Sequence, residues 1–142
     1  MVQLNAENHN PAYLCGRLLA VLEAVQRATI PGANTTITDR FFGAASTAPA
    51  SVFGPLLRGA RSHLSKLRKE RRGTFEALER KLDEIHSGIS SLTGFPKILS
   101  LEQQGFFNLG YYHQRAADRA GAIAYRQAQE RTEKISESEQ SA

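Results

Sequence analysis

Between Phe53 and Leu92 the chain reads FGPLLRGARSHLSKLRKERRGTFEALERKLDEIHSGISSL. Phe53, Leu57, Ala60, Leu64 and Leu67 recur at spacings of four, three, four and three, and Phe75, Leu78, Leu82, Ile85, Ile89 and Leu92 continue the same rhythm. Alternating steps of three and four return apolar side chains to one face of a helix, so the stretch predicts two amphipathic helices. Between them lies only Arg71-Arg72-Gly73-Thr74, with Thr74 expected to cap the second helix. Matching heptad-like seams and a short connection predict an antiparallel pair with coiled-coil-like packing. Gly54-Pro55 inside the first seam predicts a kink or a delayed start, because Pro55 removes a helix hydrogen bond.

The rest of the chain is also helical in period, and no run alternates apolar and polar residues. A first helix is expected to open with Asn10 as its cap and Pro11 at the first helical position. Its seam is Leu14, Leu18, Val21 and Val25, and Ile30-Pro31-Gly32 ends it. Thr38 or Asp39 is placed to cap a short second helix carrying Phe41 and Phe42. Thr47 and Pro49 signal the start of the third. Beyond the break at Thr93-Gly94-Phe95-Pro96, Ser100 and Gln103 form a capping box for a long last helix. Phe106, Leu109, Tyr112, Ala116, Ala120 and Ile123 are its expected buried stripe. After Glu130 only Ile135 is able to pack, so residues 131–142 are expected to form a flexible, disordered polar tail. The expected fold class is all-α: one helical-bundle domain of about five helices over residues 1–130, followed by that tail.

At 142 residues, with 41% hydrophobic and 23% charged content, the chain is large enough for one core without staples. Its single cysteine, Cys15, lies in an apolar helical pattern, which fits a buried filler and a reducing compartment. Met1 to Asn10 lacks an apolar signal core, and the apolar run from Tyr13 to Val25 is broken by Arg17 and Glu23. The expectation is a soluble, cytoplasmic protein that does not engage a membrane by spanning it. Met1 is the only methionine, consistent with a segment from a longer coding frame.

Charge is concentrated in one place. Seven basic residues, Arg58, Arg61, Lys66, Arg68, Lys69, Arg71 and Arg72, fall within fifteen positions with Glu70 as the only acid. That segment nets +6 in a chain of +4, so the remainder nets −2. At roughly 100° per residue, Arg58, Ser62, Lys66 and Lys69 point away from the third helix's seam, while Arg61 and Arg68 lie on one flank. A solvated face that merely keeps a helix soluble ordinarily mixes signs at four-residue spacing. This helix has no acid before Glu70, and rigidly spaced cations with small hydroxyl residues between them suit a phosphate backbone. Arg58, Arg61, Lys66 and Lys69 are the first candidates for nucleic-acid contact, with Arg68, Arg71, Arg72 and Arg40 in support. Charge alone selects a polyanion without choosing DNA, RNA or an acidic membrane surface. The membrane is the weaker choice, because the helix's apolar face has its own partner seam. The rival reading is a helical scaffold whose basic helix docks on an acidic protein.

Catalytic patterns are missing. His9, His63, His86 and His113 sit on separate segments with no HExxH, CxxC or paired His–Asp spacing, so no metal, cofactor or small-molecule substrate is expected and the chain reads as non-enzymatic. Two ring pairs remain, Phe41-Phe42 beside Arg40 and Tyr111-Tyr112 close to Arg115. One ring of each pair should face the core and the other a boundary. Packing is the favoured reading for the first pair; for the second, packing and contact with a partner protein or an unstacked base weigh about evenly, with Tyr111 and Arg115 as the candidate partner contact.

Four stretches then carry a resemblance: Asn10-Pro-Ala-Tyr-Leu-Cys-Gly-Arg-Leu, Asp39-Arg-Phe-Phe-Gly-Ala-Ala-Ser, Val52-Phe-Gly-Pro-Leu-Leu-Arg with His63-Leu-Ser-Lys-Leu, and Leu101-Glu-Gln-Gln-Gly-Phe-Phe-Asn-Leu-Gly-Tyr-Tyr-His-Gln-Arg. In order and spacing they resemble the C-terminal region of the type I-C CRISPR Cascade large subunit, over about residues 10 to 115. A chain of this length looks like the small subunit of that complex, produced by internal translation. The resemblance implies a non-catalytic helical bundle present in more than one copy, with the large and backbone subunits as neighbours. It also implies contact with the guide RNA–target DNA duplex and the displaced DNA strand during R-loop formation. Strand cutting in that family belongs to a separate nuclease-helicase.

Overall fold

The most apolar stretch becomes the axle of the molecule. In a computed structural model describing residues 3–141, α1 (Pro11–Thr29) is buried continuously from Ala12 to Glu23 and touches each of the other four helices. Met1, on which the expected origin in a longer frame rests, and Ala142, the last residue of the expected tail, lie outside the described residues. Asn10 caps α1 as expected, its Oδ1 accepting the N–H of Ala12 at 2.9 Å and of Tyr13 at 3.3 Å, and Pro11 is the first helical residue.

α2 (Ile37–Thr47) starts earlier than its expected caps. Thr36 is the cap: its hydroxyl accepts the Asp39 N–H at 3.1 Å while the Asp39 carboxylate accepts the Thr36 N–H at 3.0 Å. Of the threonines in this loop, only Thr36 has an acid three residues on, which is what a reciprocal box needs. The backbone N–H of Thr36 first, and its side chain second, hold the Asp39 carboxyl below the usual carboxylate range.

α3 (Pro49–Glu70) buries all five expected seam residues, Phe53, Leu57, Ala60, Leu64 and Leu67. Its start is not delayed, and it continues as helix through Pro55, which is exposed. α4 (Arg72–Ser90) follows after Arg71 alone, so Thr74 lies in its first turn instead of capping it. Leu78, Leu82, Ile85 and Ile89 are buried as expected; Phe75 is half-buried and Leu92, beyond the helix, is exposed. α3 and α4 do pack together, but each packs more extensively on α1. The bundle is therefore organised around a central helix, and the hairpin is secondary.

Gly94, with φ +79°, ends α4 in the left-handed conformation that glycine adopts at least cost, its N–H donating to the Ile89 carbonyl at 3.3 Å. Behind it, Phe95 stacks on Phe53 with ring centroids 5.1 Å apart. α5 (Leu101–Gln140) opens with the expected Ser100–Gln103 box. Its buried face, however, is Phe107, Gly110, Tyr111 and Gln114, about one residue round from the expected stripe. Leu109, Tyr112 and Ile123 are exposed, as are Ala116 and Ala120, and Phe106 is only partly buried.

Two glycines decide that rotation. A Cβ at Gly16 would overlap the carbonyl of Phe107, and a Cβ at Gly110 would overlap the carbonyl of Tyr13. The backbones of α1 and α5 meet where neither carries a side chain, and a hydrophobic count does not register such a face. Residues 131–140, expected to be flexible, continue α5 as exposed helix beyond the bundle.

Candidate nucleic-acid interface

The seam of α3 determines where its cations point. With Phe53, Leu57, Ala60, Leu64 and Leu67 held in the core, Arg58, Arg61, Lys66, Arg68 and Lys69 are all exposed, with Ser62 and Ser65 exposed between them. Among the described residues, none of these five cations is ion-paired with a carboxylate. The face divides as the helical period requires. Arg61 and Arg68 border a shallow groove of about 170 Å³ against Phe75 and Glu79 of α4, whereas Arg58, Lys66 and Lys69 lie outside it. The flank thus has an acid nearby; the outer row's one neighbouring acid is Glu70, four residues beyond Lys66, and it makes no ion pair with the row.

Arg71 and Arg72 continue the strip around the α3–α4 joint. Arg71 Nη1 donates to the Ala28 carbonyl at the end of α1 at 3.5 Å, and Arg72 Nε approaches Glu76 Oε1 at 3.3 Å. Both members of the Arg72–Glu76 pair are mostly exposed, where such a pair contributes about 0–1 kcal/mol and is readily given up. Arg40 stands apart on α2, its guanidinium 5.3 Å from the centroid of the Phe41 ring.

The structure corrects the candidate contact at Tyr111, which is buried. Tyr111 is 1% exposed, and its hydroxyl donates to Glu23 Oε2 at 3.0 Å. Arg115 Nη1 donates to the same hydroxyl at 3.3 Å, and its Nε lies 3.8 Å from Glu23 Oε1. Tyr111 therefore works inside the protein, while Arg115 bridges inward to Glu23 and still reaches the surface beside the outward ring, Tyr112. Burial is the first cause that raises the Tyr111 hydroxyl's pKa above the ordinary tyrosine value. In the first ring pair, Phe42 packs edge-on against Phe107 and Tyr111, as the packing reading expects.

Sequence reasoning missed the seam to which Tyr111 belongs. Tyr13 OH and His113 Nδ1 are 2.9 Å apart, Arg17 Nε donates to Gln114 Oε1 at 2.8 Å, and Gln114 Nε2 donates to Asp118 Oδ1 at 2.9 Å. Lys81 of α4 closes on the same Asp118 oxygen at 2.9 Å. Desolvation lowers the Arg17 pKa, opposed by Glu84, Tyr13 and Asp118. No buried side-chain polar atom among the described residues lacks a partner. The signal for this seam was Arg17 and Glu23 inside an otherwise apolar helix: buried ions require partners. The run Gly110-Tyr-Tyr-His-Gln-Arg115 supplies most of them.

Among the described residues, no three His, Cys, Asp or Glu side chains gather as a metal-binding group, and no helix is long and apolar enough to cross a membrane.

The sequence model of the family described as CRISPR-associated protein (Cas_Csd1) matches residues 1–118, a span that holds all of α1 to α4, the strip and the α1–α5 seam. The chain belongs to that family. No curated protein matches it.

Proposed function

We propose that this Cas_Csd1-family chain is the small, non-catalytic subunit of a type I-C CRISPR surveillance complex, and that the outer face of α3 holds nucleic-acid backbone while an R-loop forms. The observation that carries the reading is the row Arg58, Lys66 and Lys69: exposed, unpaired with any described carboxylate, and set on a helix whose opposite face is anchored in the core. Arg61, Arg68, Arg71 and Arg72 widen the row at its flank and end. R-loop formation exchanges one set of base pairs for another at nearly equal free energy, so contacts to backbone tip the balance. Cations on a rigid helix supply such contacts without reading sequence. The neighbours are then the large and backbone subunits, further copies of the chain, and the guide–target duplex or displaced strand, all in the cytoplasm. Binding and positioning are the whole of the proposed activity.

Reversal of Arg58, Lys66 and Lys69 to Glu tests this in the assembled complex. Target-DNA affinity is expected to fall, and the slope of log affinity against log salt to flatten by about 2 to 3 as about three backbone contacts are lost. Unchanged affinity across the salt series, with helicity intact, would sink the proposal. Crosslinks from α3 to protein alone would favour docking on an acidic protein instead.

A further inference from the structure

Where the strip ends, a cleft of about 670 Å³ opens between the end of α1, the start of α4 and the part of α5 that leaves the bundle. That volume lies within the ~300–1,000 Å³ of ordinary small-ligand sites. Much of its lining is very small, Ala24 and Ala28 from α1, Ala77 from α4, and Gly121 and Ala122 from α5, with Thr74 and the buried Leu78 beside them. Side chains that short leave a low, largely apolar surface. A Cβ at Gly121 would meet nothing within 4 Å, so the space above it is open.

The rim is cationic. Arg71, Arg72 and Lys81 line it; Lys81 and the one lining acid, Asp118, engage each other, so the surplus charge comes from Arg71 and from Arg72, whose exposed pair with Glu76 is readily given up. On the remaining side stands Tyr125, 65% exposed, its hydroxyl accepting a hydrogen bond from Gln129 on the same helix at 2.9 Å. That bond occupies the ring's polar end and leaves its face available.

We propose that this cleft seats one unstacked base of a single-stranded nucleic acid whose phosphates run along α3, with Tyr125 as the stacking partner. The inference rests on the strip's reading as a backbone-binding face and adds to it the class of strand. The continuity is physical, since Arg71 and Arg72 belong both to the strip and to the cleft's rim. A paired base inside a duplex has no free face to offer Tyr125. A low, largely apolar slot, an available ring and surrounding cations are what a sequence-tolerant single-strand site combines. An acidic peptide would satisfy the cations but gain little from so low a surface.

The chain has no tryptophan, so Tyr125→Trp supplies a single reporter. At low salt, the full-length variant should be quenched by a short oligothymidylate but not by an abasic oligomer of equal charge or by inorganic polyphosphate. Tyr125→Ala should weaken oligothymidylate binding by about tenfold and leave abasic-oligomer binding unchanged. Gly121→Leu, which fills the open space with a better helix former, should do the same. Equal binding of base-bearing and abasic strands, or insensitivity to both variants, overturns the slot while leaving the strip intact. Failure of every polyanion to bind overturns the strip, and the slot with it. Quenching by thymidine monophosphate at the concentration that suffices for the oligomer would make the cleft a mononucleotide site, against the proposal. In the assembled complex, a photoreactive group at position 125 that crosslinks only to protein would also overturn it.

Discussion

On the outer face of α3, Arg58, Lys66 and Lys69 stand in solvent, and no described carboxylate pairs with them. Between α1 and α5, Arg17, Glu23, Tyr111 and Gln114 are almost wholly buried, and each has its partner across the seam. Similar chemistry serves two ends, and the difference lies in where the complementary group comes from. A buried ion without a partner would cost several kcal/mol, so the seam's polar groups had to find theirs within the chain. An exposed cation pays no such penalty, so α3 can keep its charges unpaired in solvent, as the proposed backbone contact requires. The distinctive Gly110–Arg115 run, which as sequence divides about evenly between packing and contact, belongs mainly to the buried seam.

The hardest way to break the seam is also the smallest chemical change. Gly110→Ala adds one methyl group and improves intrinsic helix propensity by about 1 kcal/mol, yet its Cβ would overlap the Tyr13 carbonyl. We expect a net loss on the order of 3 kcal/mol or more, measured by thermal or urea unfolding. Gly105→Ala on the same helix meets nothing within 4 Å and should instead stabilise by about 0.5–1 kcal/mol. Equal effects at the two positions would mean that the helices do not cross on Gly16 and Gly110.

A somewhat smaller effect is expected from Glu23→Ala. Glu23 receives Tyr111 at 3.0 Å and Arg27 at 3.0 Å, with Arg115 close by. Removing it leaves the Tyr111 hydroxyl only the Thr38 Oγ1, 3.3 Å away, as acceptor and strips the inner end of Arg115 of its carboxylate, at a cost of about 2–3 kcal/mol. The upper part of the range for buried pairs is not reached, because Arg27 is half exposed and keeps its solvation. An unfolding midpoint equal to that of the parent chain would show the seam's network to be dispensable.

These two sites also explain what was legible beforehand. The α3 and α4 seams, the Asn10 cap and the Ser100–Gln103 box could be read from spacing and chemistry because each is a local rule: apolar residues at three and four, an oxygen two or three residues ahead of a free N–H. The buried face of α5 is not local. It depends on Gly16, nearly a hundred positions away, allowing Gly110 to come within backbone contact, and a glycine adds nothing to a hydrophobic stripe. The stripe was therefore centred on Leu109 and Tyr112 when the core takes Phe107 and Tyr111. Arg17 and Glu23 were visible as interruptions of an apolar run, but nothing in their own neighbourhood names Gln114 or Tyr111. The strip was the opposite case. Charge that has no internal partner needs no tertiary knowledge to be found, only counting; what the fold adds is that Glu79 sits beside Arg61 and Arg68 and that Arg71 and Arg72 open onto a cleft.

The comparison is sharpened most by the variant expected to change stability least. Reversing Arg58, Lys66 and Lys69 to Glu alters the strip's charge by six units but touches no buried contact, so each site should shift unfolding free energy by no more than about 0.5 kcal/mol. Salt distinguishes the two regions further. Raising ionic strength screens exposed charges beyond a Debye length of about 10 Å at 0.1 M, while buried pairs are screened much less. The parent chain's unfolding midpoint should therefore move little between low and moderate salt, whereas polyanion binding by α3 should fall steeply. If the midpoint tracked salt as closely as binding does, Arg17–Gln114 and Glu23–Tyr111 would have to be open to solvent, and the distinction between an inward and an outward set of charges would collapse. If the triple reversal unfolded the protein, the same would hold for α3, whose outer face would then be supporting the bundle instead of waiting for a partner.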